Sequence, residues 1–393
     1  MKRFYLPVIF ILFFFSAIGQ SKPIDSISSQ TIRVAVIAPL YLDSIFTKGQ
    51  LKNSRSVSKL TMPYLDFVQG AEIALDTIDL KGKKVEAHFF DSRSFDKPLS
   101  FLIKNGQLQR MDLIIGAVKE PEYSMLADFG KQKKIPFVSA IFPNDGGIKD
   151  NPYTFIINST LKAHCESIYS YLVQKHGTDN IYLVKKKNDN RIDNYFREIN
   201  AASGKNPLLK IKTIVLDSSI SSYGLSNLVD TLKPVVIIGA SLDETFSIKL
   251  AQACYPLSKT NSITLIGMPN WDSFKGLFKK SAFPDFAIRY TTPHLDSKKN
   301  AFSDFLTSNY FKLYRTNPND MAAKGFETMY YFLNILIAYN KDVLNHMNED
   351  SLASFHEFNF RPVMNSSGSE IDYYENKHLY IMKIMNGDSS WDW

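Results

Sequence analysis

Histidine and cysteine side chains, which bind metals and act in catalysis, are few and scattered in this chain. It contains seven His and two Cys, and no two histidines stand at a metal-ligand spacing. His164 is next to Cys165, but adjacent residues of a helix point in different directions. The sequence also lacks the GxGxxG, GxxxxGK[ST], HExxH and GxSxG motifs of nucleotide, zinc and serine-nucleophile sites. These absences predict a protein without a metal, a cofactor or enzymatic activity. An exported hydrolase, the enzymatic alternative, would lack any recognisable nucleophile or metal site.

The charge of the chain is mildly basic and spread along its length. Lys and Arg number 46 and Asp and Glu number 39, which gives a formal net charge of +7. Nucleic-acid binding would require a concentrated basic stripe on a known module, and the sequence shows neither. We therefore expect no nucleic-acid partner.

The first 19 residues have the pattern of an export signal. Lys2 and Arg3 precede an apolar run rich in Phe and Ile, and small residues follow it, which predicts cleavage just before Gln20. The apolar run is too short for a comfortable membrane span, although an uncleaved anchor remains the alternative. Residues 1–19 thus predict a periplasmic protein, away from the ATP and NADH of the cytoplasm. This location favours binding or scaffolding over cofactor chemistry.

Short apolar runs alternate with helical patterns in two successive series, which predicts α/β structure with doubly wound parallel sheets. The first series predicts strands at 32–39, 85–91, 112–116 and 135–140, with helices at 64–80, 96–109 and 121–133. The second predicts strands at 153–159, 181–185, 211–216, 235–239, 263–267 and 286–291, with helices at 162–176, 190–202, 224–232, 242–255 and 271–280. A long helical region at 299–346, segments at 357–362 and 379–385, and a frayed end at 386–393 complete the prediction.

The two cysteines are predicted to be buried free thiols. The right-handed crossover rule puts helix 162–176, which carries Cys165, on the same face as helix 190–202. Helix 242–255, which carries Cys254, falls on the opposite face of the sheet. A disulfide between them is therefore not expected.

Several segments, in this order and spacing, resemble the type I periplasmic binding proteins, and in particular the branched-chain amino-acid-binding group. They are IRVAVIAPL from Ile32, FVQGAEIALD from Phe67, HFFDS from His88, DLIIGAV from Asp112 and IPFVSA from Ile135. The most specific segment is FxxFLTSNYFKLYRTNPNDMAAKGFETMYY from Phe302, where Phe326-Glu327 replaces the usual Tyr-Asp. The resemblance covers the chain from about Ile32 to its C-terminus.

The resemblance implies two Rossmann-like lobes joined by three crossovers, near Ile157, Thr292 and Phe358. Lobe 1 would comprise residues 32–157 and 292–357, and lobe 2 residues 158–291 and 358–393. A small ligand would bind between the lobes, where the carboxyl ends of the strands meet.

The residues that bind amino acids in that family are mostly replaced here. Lys119, Glu120 and Pro121 occupy the loop that usually carries hydroxyl side chains, and the loop after the strand at 263–267 lacks the usual acid. An unpaired ammonium in a closed cleft would cost several kcal/mol, so leucine, isoleucine and valine are not expected as ligands.

The side chains that remain at the expected cleft combine two cations, an acid, amides, a hydroxyl and aromatic rings. These candidate ligand-binding residues are Tyr41, Lys119, Glu120, Phe142, Asn144, Arg191, Ser241, Asn270 and Trp271. They would suit a polar or anionic small molecule, with Lys119 and Arg191 facing each other across the cleft. The bland alternative is that Lys119, Glu120 and Arg191 are solvated loop charges.

Two functions stay open at this point. The first is a solute-binding protein, with an ABC permease as its partner. The second is an envelope scaffold with a degenerate cleft and a cell-envelope protein as its partner. A cleft filled by the polar segment 43–62 would favour the scaffold, and a closed, polar pocket lined by aromatic residues would favour ligand binding.

Overall fold

The computed structural model describes residues 31–52, 57–202, 204, 206–217, 220–294 and 300–393. The predicted leader, residues 1–19, and its cleavage point lie outside these residues. No helix in the described part of the chain is long and apolar enough to cross a bilayer.

The described strands and helices alternate along most of the chain. The strands are, in chain order, β1 (Ile32–Ala38), β2 (Phe46–Thr47), β3 (Gln50–Leu51), β4 (Val85–Asp91), β5 (Leu113–Gly116), β6 (Phe137–Ser139), β7 (Thr154–Ile156), β8 (Asn180–Lys186), β9 (Ile211–Leu216), β10 (Val235–Gly239), β11 (Ile263–Ile266), β12 (Ile288–Thr292), β13 (Phe360–Met364), β14 (Ile371–Asn376), β15 (Tyr380–Met385) and β16 (Asp388–Trp391). The helices are α1 (Leu42–Ile45), α2 (Met62–Thr77), α3 (Leu99–Lys104), α4 (Glu122–Lys133), α5 (Leu161–Lys175), α6 (Arg191–Ala202), α7 (Ser222–Ser226), α8 (Glu244–Ser258), α9 (Ala301–Tyr314) and α10 (Asp320–Ala338).

Two large sheets divide the chain into two lobes. The first has the order β13-β14-β7-β6-β5-β1-β4 and the second the order β16-β15-β12-β11-β10-β8-β9. In both, the five strands that come first along the chain are parallel and take the spatial order 2-1-3-4-5 of a doubly wound sheet. Their central strands are continuous apolar runs because helices cover both faces.

The chain passes between the sheets three times. It leaves the first sheet after β7, returns after β12, and leaves again between β14 and β15. The predicted third crossover near Phe358 is therefore wrong, because β13 and β14 still belong to the first sheet. The chain re-enters lobe 2 only at β15, where Tyr380 pairs with Thr292 of β12.

The C-terminal segment is ordered rather than frayed, contrary to the prediction for 386–393. Strand β16 pairs with β15, and Asp392 accepts a 2.7 Å hydrogen bond from Arg289 Nε. Lys383 lies 3.3 Å from the same carboxylate. These cross-strand charges hold a segment whose own sequence is too polar to predict a strand.

Helix 271–280 is also not formed as predicted, since only a 3₁₀ turn at Pro269–Ser273 is present. Trp271, Phe274 and Leu277 are all buried at a spacing of three residues. Phe274 and Leu277 lie beyond the 3₁₀ turn, in irregular backbone, so the apolar spacing that predicted a helix reflects burial without continuous helical structure.

Helices α2 and α10 cross very closely on one face of the first sheet. A Cβ atom added to Gly325 would lie 1.9 Å from the carbonyl oxygen of Phe67, and one added to Gly70 would lie 1.9 Å from that of Ala322. Each helix thus places a glycine against the backbone of the other.

Both cysteines are free and buried in the core of lobe 2, as predicted. Helix α5, which carries Cys165, packs against α6.

Candidate functional site

A cavity of about 610 Å³ lies between the two lobes. Loops that follow the carboxyl ends of β6, β8, β10, β11 and β12 contribute to its wall, which is where open α/β sheets bind ligands. The lining residues are Pro143, Asn144, Asp145, Asn158, Ser159, Thr160, Leu161, Lys162, His164, Arg191, Tyr195, Leu242, Pro269, Asn270, Asp272, Thr291, Thr292, Pro293, His294, Lys324 and Tyr373.

On the lobe 1 side, Asp145 accepts hydrogen bonds from one tyrosine of α4 and one tyrosine of β14. Its backbone oxygen accepts from Tyr123 Oη at 3.2 Å, and its carboxylate accepts from Tyr373 Oη at the same distance. Burial and the neighbouring carboxylates raise the pKa of the Tyr373 phenol, so this group stays a donor. The carboxylate of Asp145 is therefore held at the wall of the cavity.

The first and third crossovers are tied together beside the cavity. The backbone N–H of Thr160 donates to Glu375 Oε1 at 2.6 Å, and Ser159 Oγ donates to the backbone oxygen of Asn376 at 2.6 Å. Burial alone would lower the pKa of Lys377, but its contacts with Glu375 and Glu166 at 2.6 and 2.8 Å raise it. A charged cluster built around the buried carboxylate of Glu375 thus joins these two crossovers, which together with the second crossover form the hinge between the lobes.

On the lobe 2 side, Arg191 is the first residue of α6 and its side chain is exposed. The ammonium of Lys185, buried at the end of β8, contacts Asn190 Oδ1 and Asp193 and so holds the loop that ends at Arg191. Within the described residues, no carboxylate forms an ion pair with Arg191. Its guanidinium is therefore available to a ligand.

The side-chain amide of Asn270 has a hydrogen-bond partner for its nitrogen but none for its oxygen among the described residues. Its Nδ2 donates to the backbone oxygen of Leu242 at 2.8 Å, while Oδ1 is buried and has no hydrogen-bond partner in the described part of the chain. A buried acceptor without a donor is costly, so a ligand N–H or O–H at this position would be stabilising.

The charged groups of the cavity wall are mixed. Lys162, Arg191 and Lys324 are cationic, and Asp145 and Asp272 are anionic. Lys162 Nζ lies 3.6 Å from Oε2 of Glu198, a residue that is not part of the cavity wall. Burial lowers the pKa of Lys324 from α10, while Asp320 and Asp272 oppose that change. Lys324 of lobe 1 and Asp272 of lobe 2 therefore attract each other across the opening.

Three of the nine predicted ligand-binding residues line this cavity, namely Asn144, Arg191 and Asn270. The expected pairing of Lys119 with Arg191 is not found, since Lys119 is an exposed residue outside the wall. Lys324 is the cation that lobe 1 contributes instead.

Three predicted ligand contacts pack against the protein core instead of facing the cavity, namely Trp271, Ser241 and Phe142. Trp271 is fully buried, its Nε1 donates to the Ser241 backbone oxygen at 3.1 Å, and its ring covers Gly239 and Gly267. Ser241 is fully buried as well, and the ring of Phe142 lies 4.8 Å from that of Tyr123. Their positions after strand ends were correct, but their side chains point inward.

Glu120 and Tyr41 lie on the surface of lobe 1 away from the cavity wall. Both carboxylate oxygens of Glu120 accept from Ser124 Oγ at 2.8 Å. Tyr41 has a left-handed backbone and lines a separate pocket of about 330 Å³. Its backbone N–H donates to Asp91, which also accepts from Leu40 and Leu42.

Sequence reasoning missed most of the wall because it comes from the hinge and from α10. His164 is an example: it is buried, and its Nδ1 lies 2.8 Å from Thr291 Oγ1. Burial lowers the pKa of His164 to about 3, so the imidazole is neutral. A polar residue at the start of a helix that follows a crossover was the available signal.

No protein-family model matches the sequence, and no curated protein matches it either. Solved structures with the same fold do exist. A branched-chain amino acid ABC transporter protein from Rhodospirillum rubrum is 12% identical with a TM-score of 0.63, and the match covers 92% of this chain and 100% of that one. A branched-chain amino acid ABC transporter periplasmic ligand-binding protein from Burkholderia xenovorans is 14% identical with a TM-score of 0.56, covering 92% and 94%.

An ABC transporter substrate-binding protein from Desulfitobacterium hafniense, solved in complex with Leu, is 14% identical with a TM-score of 0.54, covering 92% of this chain and 100% of that one. Identities this low establish the architecture and leave the ligand open. Two doubly wound sheets, three crossovers and a cavity between the lobes give this chain the two-lobed fold of the type I periplasmic binding proteins.

Proposed function

We propose that this chain is a non-enzymatic, periplasmic solute-binding protein that holds a small polar or anionic molecule between its lobes. The observation that carries the proposal is the cavity of about 610 Å³, whose wall comes from both lobes and from the crossovers. Its volume lies within the range of about 300–1,000 Å³ that is usual for small-molecule sites. A ligand that contacts both lobes would favour their closed arrangement.

The polarity of the wall supports the ligand class. Arg191 is unpaired among the described residues, and the N-terminus of the 15-residue helix α5 reaches the wall through Leu161 and Lys162. A helix N-terminus and an unpaired guanidinium both favour an anionic group. The three cations of the wall exceed its two carboxylates by one positive charge.

The same wall offers little to a branched aliphatic side chain. Leu161 and Leu242 are the branched aliphatic residues among the described lining residues. We therefore retain weak or absent binding of leucine, isoleucine and valine as part of the proposal. Calorimetry with leucine tests it, and a micromolar Kd, about −8 kcal/mol, would contradict it.

The proposal is tested first by native mass spectrometry of freshly purified protein, which shows whether a small molecule copurifies. A thermal-shift screen of acidic sugars, dicarboxylates and peptidoglycan fragments follows, with wild type, Arg191→Ala and Arg197→Ala. Arg197 is a matched control because it lies on the same helix, pairs with Asp193 and is outside the cavity wall.

Stabilisation by an anionic compound that Arg191→Ala removes and Arg197→Ala retains is the expected result. Stabilisation that survives in Arg191→Ala would remove this residue from the site. No stabilisation by any compound, together with a bare native mass, would contradict the solute-binding function.

The scaffold alternative gains no support from the cleft. The described residues of segment 43–62 contribute nothing to the wall of the cavity, and some of them line the separate pocket beside Tyr41 instead. Partnership with an ABC permease remains a prediction. Export remains a prediction as well, and N-terminal sequencing of the secreted protein, with Gln20 expected as the first residue, tests it.

A further inference from the structure

Three potential metal ligands from distant parts of the sequence meet beside the hinge. His294 follows β12 on the second crossover, Glu327 lies in the middle of α10, and His356 precedes β13. One ligand atom from each residue lies within 4.8 Å of the others. The rings of the two histidines have centroids 5.5 Å apart.

The distances within this cluster are close to those of a metal site. His356 Nδ1 is 2.5 Å from Glu327 Oε1, and His294 Nδ1 is 4.0 Å from Glu327 Oε2. Two atoms that each lie about 2.0–2.2 Å from a tetrahedral zinc ion are about 3.3–3.6 Å apart. These two distances fall on either side of that range, and all three donor atoms lie within 4.8 Å of one another, so the side chains need to shift by about 1 Å to surround an ion.

The cluster is buried and incompletely satisfied. Glu327 is 2% exposed and His356 is 6% exposed. Nε2 of His294 is buried and has no hydrogen-bond partner among the described residues. Glu327 Oε1 accepts from the backbone N–H of His356 at 3.0 Å, and no Lys or Arg of the described residues forms an ion pair with this carboxylate. A cation beside Glu327 would therefore stabilise its buried charge.

The donor types select the kind of ion. Two imidazole nitrogens and one carboxylate oxygen suit Zn²⁺ and related transition metals, whereas Ca²⁺ and Mg²⁺ prefer oxygen ligands alone. The opposing charge is Lys324, which lies one turn before Glu327 on α10. Its repulsion reduces the affinity without removing a ligand.

We propose that His294, Glu327 and His356 bind one divalent transition-metal ion, with Zn²⁺ as the best fit. This site is independent of the solute-binding proposal. A bound ion would tie the second crossover to α10 and to the segment before β13. Three protein ligands leave a coordination position for water, and His294 also lines the cavity between the lobes.

The test is isothermal titration calorimetry of ZnCl₂ into the untagged mature chain after removal of metals with EDTA. We expect one Zn²⁺ per chain with a Kd of micromolar or tighter. His294→Ala and Glu327→Gln should each weaken binding by at least tenfold. His346→Ala is the matched control, because His346 also contacts a glutamate, Glu349 at 3.2 Å, but no third ligand joins this pair in the described part of the chain.

Because Glu327 is buried, circular dichroism is recorded for every variant, and the partly exposed His294 provides a second substitution, His294→Asn. Titration with Co²⁺ gives an independent reading, since nitrogen and oxygen ligands produce visible absorption bands that His294→Asn should remove. Wild-type protein that binds no Zn²⁺ would overturn the proposal. Binding that persists in folded His294→Ala and His294→Asn, or that His346→Ala weakens equally, would overturn it too.

Discussion

The close crossing of α2 and α10 makes Gly325→Ala an informative substitution. The new Cβ would lie 1.9 Å from the Phe67 carbonyl oxygen, so the helices must separate by about 1.1 Å to reach even a 3.0 Å contact. No side-chain rotation relieves this clash, because the atom that is struck belongs to the backbone. Overpacking of this kind costs about 3 kcal/mol at the upper end of its usual range.

The gain in helix propensity from Gly to Ala offsets about 1 kcal/mol of that cost. We therefore expect a net loss of about 2 kcal/mol in the free energy of unfolding of lobe 1. At about 2–4 °C per kcal/mol, this lowers the melting temperature by about 4–8 °C. Differential scanning calorimetry is the assay, since it can separate the transitions of two lobes.

Ser308→Ala on the exposed face of α9 is the control and should change stability by less than about 0.5 kcal/mol. The double variant Gly70→Ala/Gly325→Ala should cost less than the sum of the two, because the first substitution already separates the helices. A Gly325→Ala protein as stable as wild type, or strictly additive single variants, would refute the reasoning.

Three further outcomes are expected. Thiol titration should find Cys165 and Cys254 unreactive in the native protein and both reactive after denaturation, whereas a disulfide would give no thiols. Glu375→Gln should destabilise the protein by about 2 kcal/mol in denaturant titrations, since it removes the nearest carboxylate of the half-buried Lys377, and an unchanged midpoint would contradict this. His164 is neutral in the folded state and takes up a proton near pH 6.5 when unfolded, so its stabilisation is present above pH 6.5 and declines as the pH falls. Between pH 7 and 5 that decline is about 2 kcal/mol, and His164→Asn should show a correspondingly flatter stability profile by thermal melts.

The alternation of strands and helices could be predicted from the sequence because its cause is local. Buried parallel strands need continuous apolar runs, and the helices between them need a repeating apolar face. Strands β1 (Ile32–Ala38) and β10 (Val235–Gly239) are buried apolar runs of this kind, and they lie within the predicted segments 32–39 and 235–239. Strands β14 and β16 were missed, since they carry polar side chains whose partners are distant in the sequence. Glu375 accepts hydrogen bonds from Thr160 and Lys377, and Asp392 accepts one from Arg289.

The site shows the same division between local and distant causes. The sequence identified the strand ends from which the cavity is built, and Asn144, Arg191 and Asn270 reach it. It did not determine the direction of each side chain there, and Trp271 turned inward because two glycines leave room for its ring. The cluster of His294, Glu327 and His356 has no sequence signature, because Glu327 lies 33 residues after His294 and 29 residues before His356. Only the packing of a crossover against α10 brings these three side chains together, because tertiary contacts join segments that local patterns treat as unrelated.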